Sequence, residues 1–151
     1  RRGIREDSPR YAQDLINAML NYGYGILEGE VWRCVYFAGL DPYAGFLHAD
    51  RPGKASMVYD LMEEFRQQIV DKSVMTLISH DVIKPMPSLQ DGIFTLDIHT
   101  RRKVIKAILN KLESDVRYKN IKNKWHNVIL NKARKIAKFI FTNHVWKLKF
   151  G

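Results

Sequence analysis

The strongest constraint on this chain is the spacing of its apolar residues. Leu15, Ala18, Met19, Tyr22, Ile26, Val31, Val35 and Ala38 recur at helical intervals, which predicts a core helix over residues 15 to about 38. Asp14 is placed to cap its start, and Gly39-Leu40-Asp41-Pro42 to stop it. Gly23, Gly25 and Gly29 lie inside. Each costs about 1 kcal/mol against Ala in a helix, so they are expected to serve a close helix contact or a bend. A second helix is expected over 56–79, with Val58, Leu61, Met62, Phe65 and Ile69 as its apolar stripe. Asp60, Glu63, Glu64 and Gln67 fall on its opposite face. A third is expected over 100–113, through Val104, Ile105, Ile108, Leu109 and Leu112. A fourth is expected over 122–141, through Trp125, Val128, Ile129, Ala133, Ile136, Ala137 and Ile140. The segments 42–55 and 80–96 carry Pro and Gly and read as loops, with one short extended piece near 93–96. The expectation is an all-α, multi-helical fold forming one domain over 1–151.

Composition narrows the class. With 46% hydrophobic and 27% charged residues the chain is neither a disordered tail nor a fibrous repeat. No apolar run reaches the ~18–20 residues of a membrane span. Cys34 stands alone, so no internal disulfide forms and a reducing, cytoplasmic setting is expected. Charge is divided along the chain. Residues 1–100 carry 10 Lys and Arg against 14 Asp and Glu, a balance of −4, whereas 101–151 carry 15 against 2, a balance of +13. That asymmetry fits a polyanionic partner, and equally a merely soluble basic surface.

Templates for nucleophilic and nucleotide chemistry are missing: there is no G-x-S-x-G elbow, Walker loop or strand-borne G-x-G-x-x-G. Cys34 reads as a small buried side chain. His48 sits in a Gly/Pro-flanked loop ahead of the helix bearing Asp60, Glu63 and Glu64. An imidazole with carboxylates offers mixed N/O ligation suited to Mn²⁺ or Mg²⁺, although periodicity alone favours a solvated acidic face. His80, His99, His126 and His144 lack ligand spacing and read as surface or interface residues. Tyr11, Tyr22, Tyr24, Tyr36, Tyr43 and Tyr59 are candidates for base stacking, those inside the first helix reading more simply as core aromatics with satisfied hydroxyls. In the fourth helix Lys124, Lys132, Arg134, Lys135 and Lys138 interleave with apolar positions. Such a basic rim suits a phosphate backbone, and a lysine-rich, heat-adapted surface would look the same.

Three motifs add a resemblance. Asn17-Ala18-Met19-Leu20-Asn21-Tyr22-Gly23-Tyr24-Gly25-Ile26-Leu27, then Ala38-Gly39-Leu40-Asp41-Pro42-Tyr43-Ala44-Gly45-Phe46-Leu47-His48, then Ser56-Met57-Val58-Tyr59-Asp60-Leu61-Met62-Glu63-Glu64-Phe65-Arg66, in that order, resemble the helical C-terminal domain of the CRISPR-associated endonuclease that acts as spacer-acquisition integrase. The resemblance is tight over 14–66 and looser beyond, through Gly92-Ile93-Phe94-Thr95-Leu96 and the basic, Trp-bearing tail. Asp14-Leu15 departs from the family's usual Asp-Pro.

The resemblance implies a DNA endonuclease/integrase whose divalent metal, Mg²⁺ or Mn²⁺, is held by His48, by Glu63 and by a Glu in a motif upstream of this chain. It implies that Asp60 supports that site, making His48, Glu63 and Asp60 the catalytic candidates. Arg51, Lys54 and Arg66 fall where the family places cations near DNA, and Lys132, Arg134, Lys135 and Lys138 would extend the track. Glu28 and Glu30 are expected to be exposed helix residues and not replacement ligands. The implied partners are DNA, a second copy in a homodimer, and a small adaptation protein, with no membrane. The chain opens Arg1-Arg2-Gly3-Ile4 without Met, as either a trimmed product or a piece of something longer would; the resemblance implies the C-terminal catalytic part of a larger protein with a β-rich N-terminal domain. The alternatives from other classes are a non-catalytic α-helical nucleic-acid-binding module and a dimerisation scaffold.

Overall fold

The computed structural model describes residues 15–45, 54–80, 88–90, 93–118 and 121–150. Its elements run α1 (Leu15–Phe37), α2 (Ser56–Phe65), a π-helical segment (Arg66–Asp71), α3 (Lys72–Ser79), β1 (Ser88–Gln90), β2 (Ile93–Thr95), α4 (Ile98–Glu113), β3 (Asp115–Tyr118), β4 (Ile121–Lys124) and α5 (Trp125–Phe150). The expected helical architecture is observed, with two short antiparallel hairpins added. The extended piece expected near 93–96 is β2, paired with β1 through Leu89 and Phe94. The second hairpin corrects the expected fourth helix: 122–124 belong to β4, and α5 starts at Trp125 and runs past 141 to Phe150. In that hairpin Asp115 faces Lys124 and Tyr118 faces Ile121.

Local chemistry accounts for the helix ends. α1 closes as a Schellman turn: Gly39, at φ +74°, donates to the Tyr36 carbonyl at 3.0 Å, and Leu40 donates to that of Val35 at 3.1 Å. The left-handed conformation costs Gly nothing, which is why the sequence punctuates here. α4 begins at an Asp cap. The Asp97 carboxylate accepts from the backbone N–H of His99 at 2.8 Å and of Thr100 at 3.0 Å, and from the Thr100 hydroxyl. These bonds, that from the Thr100 hydroxyl foremost, hold its carboxyl below the usual range. The helix expected over 56–79 is helical throughout, with the π-helical segment Arg66–Asp71 inserted in its middle.

The chain forms two compact units, one of residues 1–27 and 66–111, the other of 28–65 and 112–151. In the first, Met19, Leu27, Ile69, Val70, Val74, Val104 and Ile108 are fully buried. Gly23 permits that packing, because a Cβ there would stand 2.6 Å from Val70 Cγ1 and 2.8 Å from Ile108 Cδ1. The contact expected of the α1 glycines therefore belongs to Gly23. Gly25 and Gly29 are exposed, with no described atom within 4 Å of their Cβ positions. In the second unit the core is Val31, Val35, Val58, Leu61, Phe65, Trp125 and Ile129, with Phe65 and Trp125 packed edge to face at 6.3 Å. Cys34 is buried in the same unit. Desolvation, with Glu30 adding to it, pushes its thiol up to about 12, so it is a packing residue and no nucleophile.

Candidate functional site

The acidic candidates occupy the start of α2 in the second unit. Pro42 turns the chain after α1, and its carbonyl accepts from Met57 N at 3.0 Å, pinning the loop against the first turn of α2. Gly45 lies flat on that turn. A Cβ there would fall 2.4 Å from Ser56 Cβ, 2.9 Å from the Ser56 carbonyl carbon and 3.0 Å from Asp60 Oδ2. Only glycine brings the backbone this close, and the approach encloses Asp60, which is 3% exposed. Beside it the Ser56 hydroxyl is buried without a hydrogen-bond partner among the described residues.

Three carboxylates of α2 meet three environments. Asp60 is buried; Glu63, one turn later, is exposed; and both are engaged by neighbouring groups. Glu64 accepts from Lys132 Nζ of α5 at 2.6 Å. The two glutamates of α1 are occupied as well. Tyr59 donates to Glu28 at 3.2 Å, while Glu30 pairs with Arg33 at 2.7 Å and is 13% exposed. Both are only partly exposed, which corrects their expected exposure. Their bonds to Tyr59 and Arg33 hold them against the protein.

The basic candidates divide between the units. Lys54 is exposed at the entry to α2. Arg134, Lys135 and Lys138 are exposed on α5, and no carboxylate of the described residues is within ion-pair distance of them. Lys132 differs from these in its bond to Glu64. In the first unit Arg66 stands with its guanidinium carbon 4.2 Å above the Tyr24 ring. The Tyr24 hydroxyl is satisfied by Asp71 at 2.6 Å, as expected of an aromatic in this helix. Nothing in the sequence pattern pointed to that three-residue cluster, because its partners come from separate segments. His48 and Arg51 lie outside the described residues, as do Asp14 and Tyr11. His80 and His99 are exposed, and His126 Nδ1 stands 3.3 Å from Glu113 Oε1.

Donor chemistry decides whether these groups suit a divalent cation. Asp60 and Glu63 bring carboxylate oxygens, the ligand type that Mg²⁺ and Mn²⁺ prefer. Among the described residues no three His, Cys, Asp or Glu side chains converge. The described carboxylates therefore fit such an ion in kind, without forming a complete ligand set by themselves.

Fold and site together define a helical domain with carboxylates on α2 and exposed cations on α5. Residues 3–110 match the family model described as CRISPR associated protein Cas1. The chain belongs to that family. It is 46% identical over 141 residues to a CRISPR-associated endonuclease Cas1 of Archaeoglobus fulgidus, covering 93% of this chain and 41% of that protein. A CRISPR-associated endonuclease Cas1 of Saccharolobus solfataricus is 42% identical over 106 residues, covering 66% of this chain and 30% of that one. Among solved structures, a casposase bound to its integration product superposes with a TM-score of 0.82 at 33% identity, over 95% of this chain and 42% of that chain. A Cas1 protein from Thermotoga maritima, at 23% identity, TM-score 0.77 and coverage of 83% and 39%, shares the fold. The chain thus spans less than half the length of the curated relatives it matches. No described helix is long and apolar enough to cross a membrane.

Proposed function

We propose that this chain carries the helical part of a divalent-metal-dependent DNA endonuclease/integrase of CRISPR adaptation, cutting and joining DNA during spacer acquisition in the cytoplasm. The observation that carries the reading is the start of α2 in a Cas1-family chain: buried Asp60 lies under Gly45, and exposed Glu63 follows it one turn later. Glu63 and His48 would hold Mg²⁺ or Mn²⁺, with a further carboxylate from outside this chain. A divalent cation bound there supplies Lewis-acid activation of a phosphodiester and a nucleophile of lowered pKa.

The chain's own residues do the rest. Asp60, fixed by burial, orients its neighbours in the site. Lys54, Arg51 and Arg66 hold phosphates of the DNA strand next to the reacting one. Arg134, Lys135 and Lys138 extend the contact along the backbone without reading sequence, with Lys132 at its edge. A homodimer and a small adaptation protein belong to the same proposal, supported by the exposed apolar Phe139, Ile140 and Phe141 on α5.

The test is DNA cleavage with Mn²⁺ by this chain extended with its encoded upstream sequence. Activity should disappear in the double variant His48→Ala, Glu63→Ala; undiminished cleavage by that variant ends the reading. A second reading, a non-catalytic DNA-binding module, is favoured by the exposed cations Arg134, Lys135 and Lys138 of α5. It predicts salt-sensitive binding that EDTA leaves unchanged and that weakens when Arg134, Lys135 and Lys138 are neutralised.

A further inference from the structure

The π-helical segment Arg66–Asp71 joins two residues that an α-helix would separate. Five positions along an α-helix turn through about 140° relative to the start, whereas the i→i+5 closure of a π turn brings such residues onto one side. Here Tyr24 of α1 meets both ends of the segment. Its ring lies under the Arg66 guanidinium at 4.2 Å, and its hydroxyl donates to Asp71 Oδ1 at 2.6 Å. Asp71, though placed at the N-terminus of α3, makes no side-chain cap there. Its carboxylate serves Tyr24 instead. Gly23, the residue before Tyr24, lets α1 approach Val70 of the same segment closely enough for Tyr24 to reach across it. Burial first, and then the bond to Asp71, raise the Tyr24 pKa, so the phenol stays protonated and donating.

We propose that Tyr24 is a positioning residue for Arg66: its ring, anchored through Asp71, holds the guanidinium in one orientation for a DNA phosphate. This rests on the reading of Arg66 as a phosphate contact. A free arginine loses side-chain entropy when it binds, and an arginine already seated on an aromatic face loses less. A cation–π contact uses the face of the guanidinium, whose N–H groups lie at its edge.

The experiment measures binding of a DNA duplex to the full chain across a salt series, for Arg66→Ala, Tyr24→Leu, Tyr24→Phe and the double variant Tyr24→Leu, Arg66→Ala. Arg66→Ala should flatten the plot of log affinity against log salt by about 0.9, one phosphate contact. Tyr24→Leu should weaken binding about two- to fivefold, the fold-change that an exposed cation–π contact corresponds to. Tyr24→Phe, which keeps the ring, should lose less. In the Arg66→Ala background Tyr24→Leu should add nothing, since coupled residues are not additive. A Tyr24→Leu effect of equal size in both backgrounds overturns the proposal while leaving the DNA reading intact. So does a folded Tyr24→Leu protein that binds like the parent. An Arg66→Ala protein that binds like the parent overturns the reading beneath it and the proposal with it. If Tyr24→Leu does not fold, Tyr24→Phe and Asp71→Asn decide through the Arg66 side-chain N–H signal in NMR. Both variants weaken the anchor, the first by removing the hydroxyl and the second by removing the charge, so that signal should move toward free arginine in both and further for Tyr24→Phe; no change in either overturns the anchoring role.

Discussion

Replacing Gly45 with alanine tests whether the loop after α1 is held against α2 as closely as the site requires. The added Cβ would stand 2.4 Å from Ser56 Cβ and 2.9 Å from the Ser56 carbonyl carbon, where carbon atoms rest at about 3.5–4.0 Å. Neither atom can rotate away, since both are fixed to the backbone of α2. The loop and the helix must therefore part by about 1 Å. Overpacking of this kind costs about 1–3 kcal/mol. The bond from Met57 N to the Pro42 carbonyl spans the same junction, and losing it adds about 1 kcal/mol. A total of about 2–4 kcal/mol lowers the Tm by roughly 10 °C for a domain of this size. Gly25→Ala is the control: its Cβ meets no described atom within 4 Å, so helix propensity alone acts and stability rises by about 0.5–1 kcal/mol. Thermal unfolding followed by circular dichroism measures both, and DNA cleavage by the upstream-extended chain reports on the site. Activity should fall further than the loss of folded protein explains, because Asp60 Oδ2 lies 3.0 Å from the new methyl. A Gly45→Ala protein with the parent's Tm refutes the reasoning.

Three further outcomes follow from single groups. Ser56→Ala removes a buried hydroxyl that has no partner among the described residues and should raise stability by about 1 kcal/mol in denaturant unfolding, whereas a loss would reveal a partner for it. Lys132→Gln should change the salt dependence of DNA binding less than Lys135→Gln or Lys138→Gln, because Lys132 is held by Glu64 at 2.6 Å; equal slopes for all three count against that pairing in solution. Asp97→Ala should lower the Tm at neutral pH, through loss of the α4 cap. Since the folded carboxyl of Asp97 titrates below its usual range, its contribution is present above the unfolded pKa and is lost as pH falls through the folded one. Parent and variant should therefore converge in acid, and a gap that persists there would contradict the cap.

The helices were legible because their signals are local. The apolar period of α1 gave its start at residue 15, and Gly39 followed by Pro42 gave an end within one residue of Phe37. The π-helical segment was not legible for a definite reason. Phe65 and Val74 are buried on either side of it and Ile69 and Val70 within it, and the four-residue steps Phe65–Ile69 and Val70–Val74 are also those of an unbroken α-helix, so the inserted residue leaves no mark in the pattern. The β3–β4 hairpin was hidden differently. Val116, Tyr118 and Ile121 do alternate with polar residues, but the segment lacks the Gly or Asn-Gly turn that marks a hairpin. Within the site, the acidic positions of α2 could be read from spacing, while their division of labour could not. Burial of Asp60 depends on Gly45, and the Glu64–Lys132 pair depends on α5 lying beside α2. Both are products of packing.

That division has a geometric cause. At about 100° per residue, Glu63 and Glu64 flank Asp60 by about 60° on one side and about 40° on the other. A face this narrow would normally be solvated in common, and its carboxylates would repel one another. Two contacts from elsewhere in the unit separate them. The glycine-lined loop covers Asp60, and Lys132 neutralises Glu64 from the α5 side. Glu63 is left exposed with its neighbours' charges either enclosed or compensated. Through Lys132 the basic helix thus shapes the acidic face of α2 within the same unit.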